Sequence, residues 1–180
     1  MSRKPAEQPA AKRVAESFTT MSELVMPNDT NPQGNLMGGN MLRWMDICCA
    51  ICAGKHCARP VVTASVDNVA FKSPIRNGEV ITLEASVTRA FNTSIEVYVE
   101  VFAATMQGTH PRRTHHAYFT FVALDRDNGN PVPVPELLPL TEIEQQRYEA
   151  ALRRRELRLV LAGRLKPEEA SDLREVFKPV

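Results

Sequence analysis

Asp46 is a single carboxylate within an otherwise almost wholly apolar stretch, GGNMLRWMDICCAICAGKHC, at residues 38–57. A charge in such surroundings is costly unless it is paired, hydrated or put to use. In use, a carboxylate takes up a proton as a general base or attacks a carbonyl carbon as a nucleophile. Upstream stand Gly38 and Gly39, at the predicted start of a helix. The first backbone N–H groups of a helix have no partner within it, and glycine lets a ligand come close to them. The helix dipole also favours negative charge at that end. The pair is therefore a candidate site for an oxygen on which charge develops. Asp46 follows Gly39 by seven residues, so roughly 10 Å farther along the axis and on nearly the same face. One helix could hardly bring both groups to one small carbonyl. Two plainer readings stay open here: Arg43, at i−3, could pair with Asp46, and the glycines could simply kink the helix entry.

The elements that must position these groups follow from periodicity. Residues 38–56 read as one helix in which Met41, Trp44, Met45, Cys48 and Cys52 form a stripe at i, i+3, i+4 spacing. Leu42, Cys49, Ala50 and Ala53 surround Asp46 on the other side. A helix apolar nearly all round belongs in a core. Before it come a short strand at 19–27, ended by Pro27, and an Asn/Pro/Gly-rich loop at 28–35. After Pro60 the chain turns β-branched, with strands expected at 61–75, 79–91, 95–105 and 114–125. Breaks this short favour an antiparallel meander. One buried helix followed by a long-stranded sheet is an α+β layout. A proline-rich run at 125–142 leads to Thr141 and Glu144, a capping-box pair opening a second helix that carries Arg147, Arg153, Arg154, Arg155, Arg158 and Arg164. The expected organisation is a disordered tail at 1–17, one domain at 18–140, and a basic C-terminal helix and tail at 141–180.

With 180 residues, 43% of them hydrophobic and 24% charged, the composition is that of a soluble globular domain. A net charge of +1 gives no global pull toward nucleic acid. The four cysteines, at 48, 49, 52 and 57, cluster in one helix rather than spreading as a disulfide framework. Cys49 and Cys52, with His56, could suggest a metal or redox pair, but no second ligand pair follows at zinc-like spacing. Small packing residues in a reducing cytosol is the preferred reading. The N-terminus lacks the apolar core of a signal peptide, and no stretch reaches transmembrane length. A cytoplasmic protein with no metal, nucleic-acid or membrane partner is expected.

Asn31-x-x-Gly34-x-x-x-Gly38-Gly39 followed by Met45-Asp46 resembles the opening of the hotdog-fold acyl-CoA thioesterases. VVTASVDNVAFKSPIRNGEVI (61–81), TSIEVYVEV (93–101), FTFVALD (119–125) and PVPVPEL (131–137) resemble further motifs of that family, in its order. The resemblance covers about residues 19–155. It implies a long central helix wrapped by a curved antiparallel sheet, edge-to-edge homodimers with active sites across the interface, and assembly as a trimer of dimers, hence a homohexamer. It implies hydrolysis of acyl-CoA to fatty acid and CoA, a step of lipid metabolism. No added cofactor is required, since CoA arrives in the substrate and leaves in the product.

Carried over residue by residue, the resemblance makes Asp46 the general base or nucleophile. Gly39, with Gly38, becomes the oxyanion site, and Asn31 positions water or the carbonyl. By their own chemistry, Arg76, Arg89 and the Arg-rich C-terminal helix could supply charge-assisted contacts to the CoA phosphates, and Thr93 and Ser94, just after a turn, donors near the nucleotide; Arg147 and Tyr148 resemble the family's C-terminal Arg-Tyr element. Two departures stand out: Met37 occupies a position often held by His, and Ile47 one often held by an acid or amide. Rival readings on the same fold are a hydratase, which normally needs a His base absent from 31–46, and a non-catalytic acyl-CoA sensor, which needs an added module.

Overall fold

Strands that alternate apolar and polar residues can bury one face, and three of the four long ones here bury theirs against a single helix. The computed structural model describes residues 10–176 except Thr109, without the side chains of residues 174–176. In chain order it contains β1 (Lys12–Arg13), α1 (Val14–Ser17), β2 (Thr19–Leu24), a 3-10 turn (Pro27–Asp29), α2 (Gly38–Cys57), β3 (Val61–Phe71), β4 (Val80–Ala90), β5 (Ser94–Ala104), β6 (Arg112–Ala123) and β7 (Leu137–Leu138). α3 (Glu142–Leu161), a second 3-10 turn (Pro167–Glu169) and α4 (Ser171–Val176) follow. The chain divides into two compact units, one through Leu138 and one from Pro139.

In the first unit a five-stranded antiparallel sheet, ordered β2-β4-β5-β6-β3, contacts α2 with every strand. Ile95, Val97, Val99 and Val101 of β5 are fully buried, as the period-two pattern required. Ile81 and Leu83 of β4 and Phe119 and Phe121 of β6 extend the same layer. Met41, Met45, Cys48, Cys49 and Cys52 close it from the helix side. α2 stops where Ala58 takes the left-handed conformation, its N–H returning to the Gly54 carbonyl at 2.8 Å, with Pro60 just beyond. In the second unit the expected cap opens α3: Thr141 Oγ1 accepts from the Glu144 N–H at 3.2 Å, and Glu144 Oε2 accepts from the Thr141 N–H at 3.0 Å.

Two expectations need correction. β3 does not extend the meander by pairing with β4; it crosses to the far edge and pairs with β6. The connection at 72–79 is longer than a tight hairpin loop, and it carries the chain from the β3 edge past β6 and β5 to β4. The tail placed at 1–17 is in part ordered, with residues 1–9 outside the described residues. β1 pairs in parallel with β7, and Val14 and Ser17 of α1 are buried.

Candidate active site

The loop before α2 is a hydrogen-bonded ring. Asn31 Oδ1 accepts from the backbone N–H groups of Gln33 (3.0 Å) and Asn35 (3.1 Å). The Leu36 N–H reaches the Ile75 carbonyl at 2.7 Å, and Asn77 N–H the Gly34 carbonyl at 3.1 Å. Gly34, at φ 74°, supplies the left-handed residue this loop turns on. With Oδ1 so engaged, the Asn31 amide NH2 is the end free to donate.

Met37 precedes α2 in extended conformation and makes no side-chain cap, so the N–H groups of Gly38 and Gly39 find no partner among the described residues. A side chain at Gly38 would stand 3.5 Å from the Phe71 ring, whereas Gly39 faces open space. Asn31, Leu36, Gly38, Phe71, Ile75 and His115 are among the residues lining a groove of about 400 Å³. The structure thus brings Asn31 and Gly38 together, with uncapped donors at the groove's rim.

Asp46 does not line that groove. It is half-buried and makes no ion pair with Arg43 or any other described residue. Its Oδ1 instead accepts a hydrogen bond of 2.7 Å from the Thr63 hydroxyl. Thr63 pairs with Phe121 in the β3–β6 ladder and so points toward α2. Immediately after it the register slips at Ala64, a bulge of the kind that re-aims a side chain. Thr63 was missed by the reading of the sequence. The only available signal was a threonine in helix-facing register, and that register could not be assigned without knowing that β3 pairs with β6.

The two groups of residues therefore sit toward opposite ends of β3: Gly38 against Phe71, Asp46 against Thr63. The other expected contacts divide the same way. Arg76 is exposed beside the groove, bridged to Asn35, its N–H held by Glu79 at 2.6 Å. Arg89, Thr93 and Ser94 lie at the other end of β4, where Ser94 pairs with Val122 and so falls in the row of strands next to Thr63. The Arg89 guanidinium stands 5.8 Å from the Phe91 ring centre. Arg147 and Tyr148 are half-buried in α3 of the second unit.

The cysteines are free and buried. Cys48 and Cys52 donate to the carbonyls of Thr19 and Ala85, and burial pushes their thiols up to about 11 and about 12. Such thiols pack rather than react. His56 is buried with Nε2 on the Pro135 carbonyl at 2.9 Å, and burial lowers its pKa. Among the described residues no group of three or more His, Cys, Asp or Glu is placed to hold a metal.

Among the described residues one edge of β3 has no strand partner, and Val62, Val66 and Phe71, with Ile47 and Ile51 of α2, are exposed apolar residues. Such an edge is a template for another chain. No described helix is long and apolar enough to cross a membrane.

Residues 33–109 match the profile of the thioesterase superfamily. An acyl-CoA thioester hydrolase of Bacillus subtilis, YkhA, described as uncharacterised, is 37% identical over 148 residues, 82% of this chain and 86% of its own. An acyl-CoA hydrolase of Staphylococcus aureus, solved with butyryl-CoA, CoA and CoA disulfide, superposes with TM-score 0.78 at 34% identity, covering 85% of this chain and 94% of that one. A hexameric acyl-CoA thioesterase superposes with TM-score 0.81 at 40% identity over 86% and 98%. Alanine variants of the staphylococcal enzyme have been solved at an asparagine, an aspartate fifteen residues later and a threonine seventeen beyond that. Asn31, Asp46 and Thr63 have the same spacing.

Proposed function

The chain belongs to the thioesterase superfamily, and from that premise we propose that it hydrolyses acyl-CoA to a fatty acid and CoA at a site shared between two protomers. The observation that carries this reading is the placement of the half-sites near the two ends of one unpaired edge strand. In an antiparallel β3–β3 pair about a twofold axis, the Thr63 end of one copy lies opposite the Phe71 end of the other. Asp46 of one protomer then meets Asn31, Gly38 and Gly39 of its partner. The exposed apolar residues along β3 and α2 are covered by the same contact.

In this site the thioester carbonyl oxygen points at the N–H groups of Gly38 and Gly39 and at the Asn31 amide. Such donors, fixed in advance, favour the charge that grows on that oxygen. As general base, Asp46 takes a proton from water as the water oxygen bonds to the carbonyl carbon. Collapse of the tetrahedral species breaks the carbon–sulfur bond, and the proton passes to the departing CoA sulfur. As nucleophile, the same carboxylate attacks the carbonyl carbon, the carbon–sulfur bond breaks and CoA leaves as its thiolate; water then opens the mixed anhydride to fatty acid and free carboxylate, and the water's remaining proton passes to the CoA sulfur. Thr63 holds the carboxylate in aim in either course. Arg76 of the groove protomer and Arg89, Thr93 and Ser94 of the other approach this composite site as contacts for the CoA phosphates and nucleotide. The proposed assembly is a trimer of dimers, supported by the hexameric relative, and the free buried cysteines suit a cytoplasmic home.

Release of free thiol from acetyl- to palmitoyl-CoA tests the reading; turnover of at least one chain length is expected, and none at all would overturn it. Thr63→Val, which keeps the shape and removes the hydroxyl, is expected to lower kcat by roughly 10- to 100-fold, the worth of a hydrogen bond to a charged group. A rate within twofold of wild type would show that Thr63 does not aim the carboxylate.

A further inference from the structure

α3 carries a line of apolar side chains that face water. Ile143, Leu157 and Leu161 are 63%, 41% and 79% exposed, and Ala150 is half-buried between them. At about 100° per residue the four fall within about 40° of arc, because 143, 150 and 157 recur at a seven-residue spacing. A line of this period is the seam along which one helix packs against another.

The charges say which partner fits. The first half of α3 is acidic, with Glu142, Glu144 and Glu149 against Arg147; the second is basic, with Arg153, Arg154, Arg155 and Arg158 against Glu156. A second α3 running antiparallel sets acid on base at both ends, whereas a parallel one sets like on like. An anionic lipid surface would be repelled by the first half of the same line. Glu149 and Arg153 flank the line one turn apart, both exposed. Glu149 Oε1 accepts from Gln145 Nε2 at 2.8 Å, and neither Glu149 nor Arg153 is in an ion pair among the described residues. With a twofold axis at Ala150, whose small side chain lets two helices come close, Ile143 stands opposite the partner's Leu157. Glu149 then falls about 3 Å along the helix from the partner's Arg153, within side-chain reach, and symmetry makes the pair twice.

Extending the trimer-of-dimers reading above, on which this rests, we propose that α3 pairs antiparallel with α3 of a second copy about a twofold axis at Ala150 and so joins β3-edge dimers into the hexamer. Two different twofold contacts on one chain can close as a trimer of dimers. The test weighs the full chain by mass photometry over a dilution series. Wild type is expected to be a hexamer that falls to dimers on dilution. Ile143→Glu with Leu157→Glu should leave dimers only, with thiol release per chain within twofold of wild type. Glu149→Arg alone, or Arg153→Glu alone, should raise the dissociation midpoint about 10-fold, since each sets like charges together twice at every contact. The two reversals combined should restore it. Mild oxidation should link Ala150→Cys to its own copy, the native thiols being buried. Hexamers unmoved by the glutamate pair, or reversals that do not rescue each other, would overturn the assignment. So would loss of binding to anionic phospholipid vesicles by the glutamate pair with its mass unchanged, which would give the line to a lipid surface. A wild type that is dimeric at every concentration would sink the hexamer reading itself.

Discussion

Replacing Asp46 by alanine is expected to lower kcat on a short acyl-CoA by about three orders of magnitude, the scale of a lost general base, while the melting temperature and oligomeric state stay near wild type. The expectation of unchanged stability follows from the surroundings of the side chain. Asp46 is half-buried, engages no ion pair among the described residues, and is bound by the hydroxyl of an exposed threonine. Its removal breaks no salt link and strands no opposite charge, the circumstance that makes such deletions severe. Asp46→Asn should be as inactive as the alanine variant, because the amide still accepts from Thr63 but can neither take a proton nor attack. Thiol release at saturating substrate, alongside thermal melting and size-exclusion chromatography, decides the matter. Retention of a tenth or more of the wild-type rate would make Asp46 a solvated helix residue and remove the mechanism. A rate lost together with the fold would assign it to stability instead.

Asp46 and the glycines were legible because their cost or their freedom is local. A carboxylate among apolar neighbours, and paired glycines at a helix start, are unusual wherever the rest of the chain goes. The spans of α2 and of the four long strands were legible for the same reason, since period 3.6 and period 2 are properties of the chain itself. The neighbour of β3 was not. Alternation fixes which face of a strand is buried but not which strand lies beside it. Thr63 was hidden behind that same ignorance, being one more threonine in a β-branched run until its register against Phe121 and the bulge at Ala64 bring it to Asp46. The order of β1 and α1 was missed because a polar, Ala/Pro-rich composition says nothing of backbone pairing to distant residues: the Lys12 N–H is bound by the Glu136 carbonyl at 2.8 Å. What stayed hidden was in each case a contact between residues far apart in the chain.

Mixing two inactive variants is the strongest test of the shared site. Asp46→Ala removes the acid from one half-site; Asn31→Ala removes the amide donor, and with it the Oδ1 that binds Gln33 and Asn35, from the other. If both halves of a site came from one chain, every site in a mixture would lack one group, and the mixture would be as dead as its parts. If the halves come from two chains, a mixed dimer carries one site lacking both groups and one lacking neither. Random exchange in equal proportions makes half of the dimers mixed, so about a quarter of all sites should regain the complete set, a consequence of twofold symmetry. Activity should thus rise from the residual level of either variant to about a quarter of wild type, a gain of two orders of magnitude or more without any new side chain. Exchange is followed independently by native mass spectrometry of tagged and untagged chains. Recovery that grows with the mixed-dimer fraction supports the twofold site. Complete exchange without recovery would mean that Asp46 reaches Gly38 and Gly39 within its own chain, against the roughly 10 Å that α2 sets between Gly39 and Asp46, or that the two never act on one substrate.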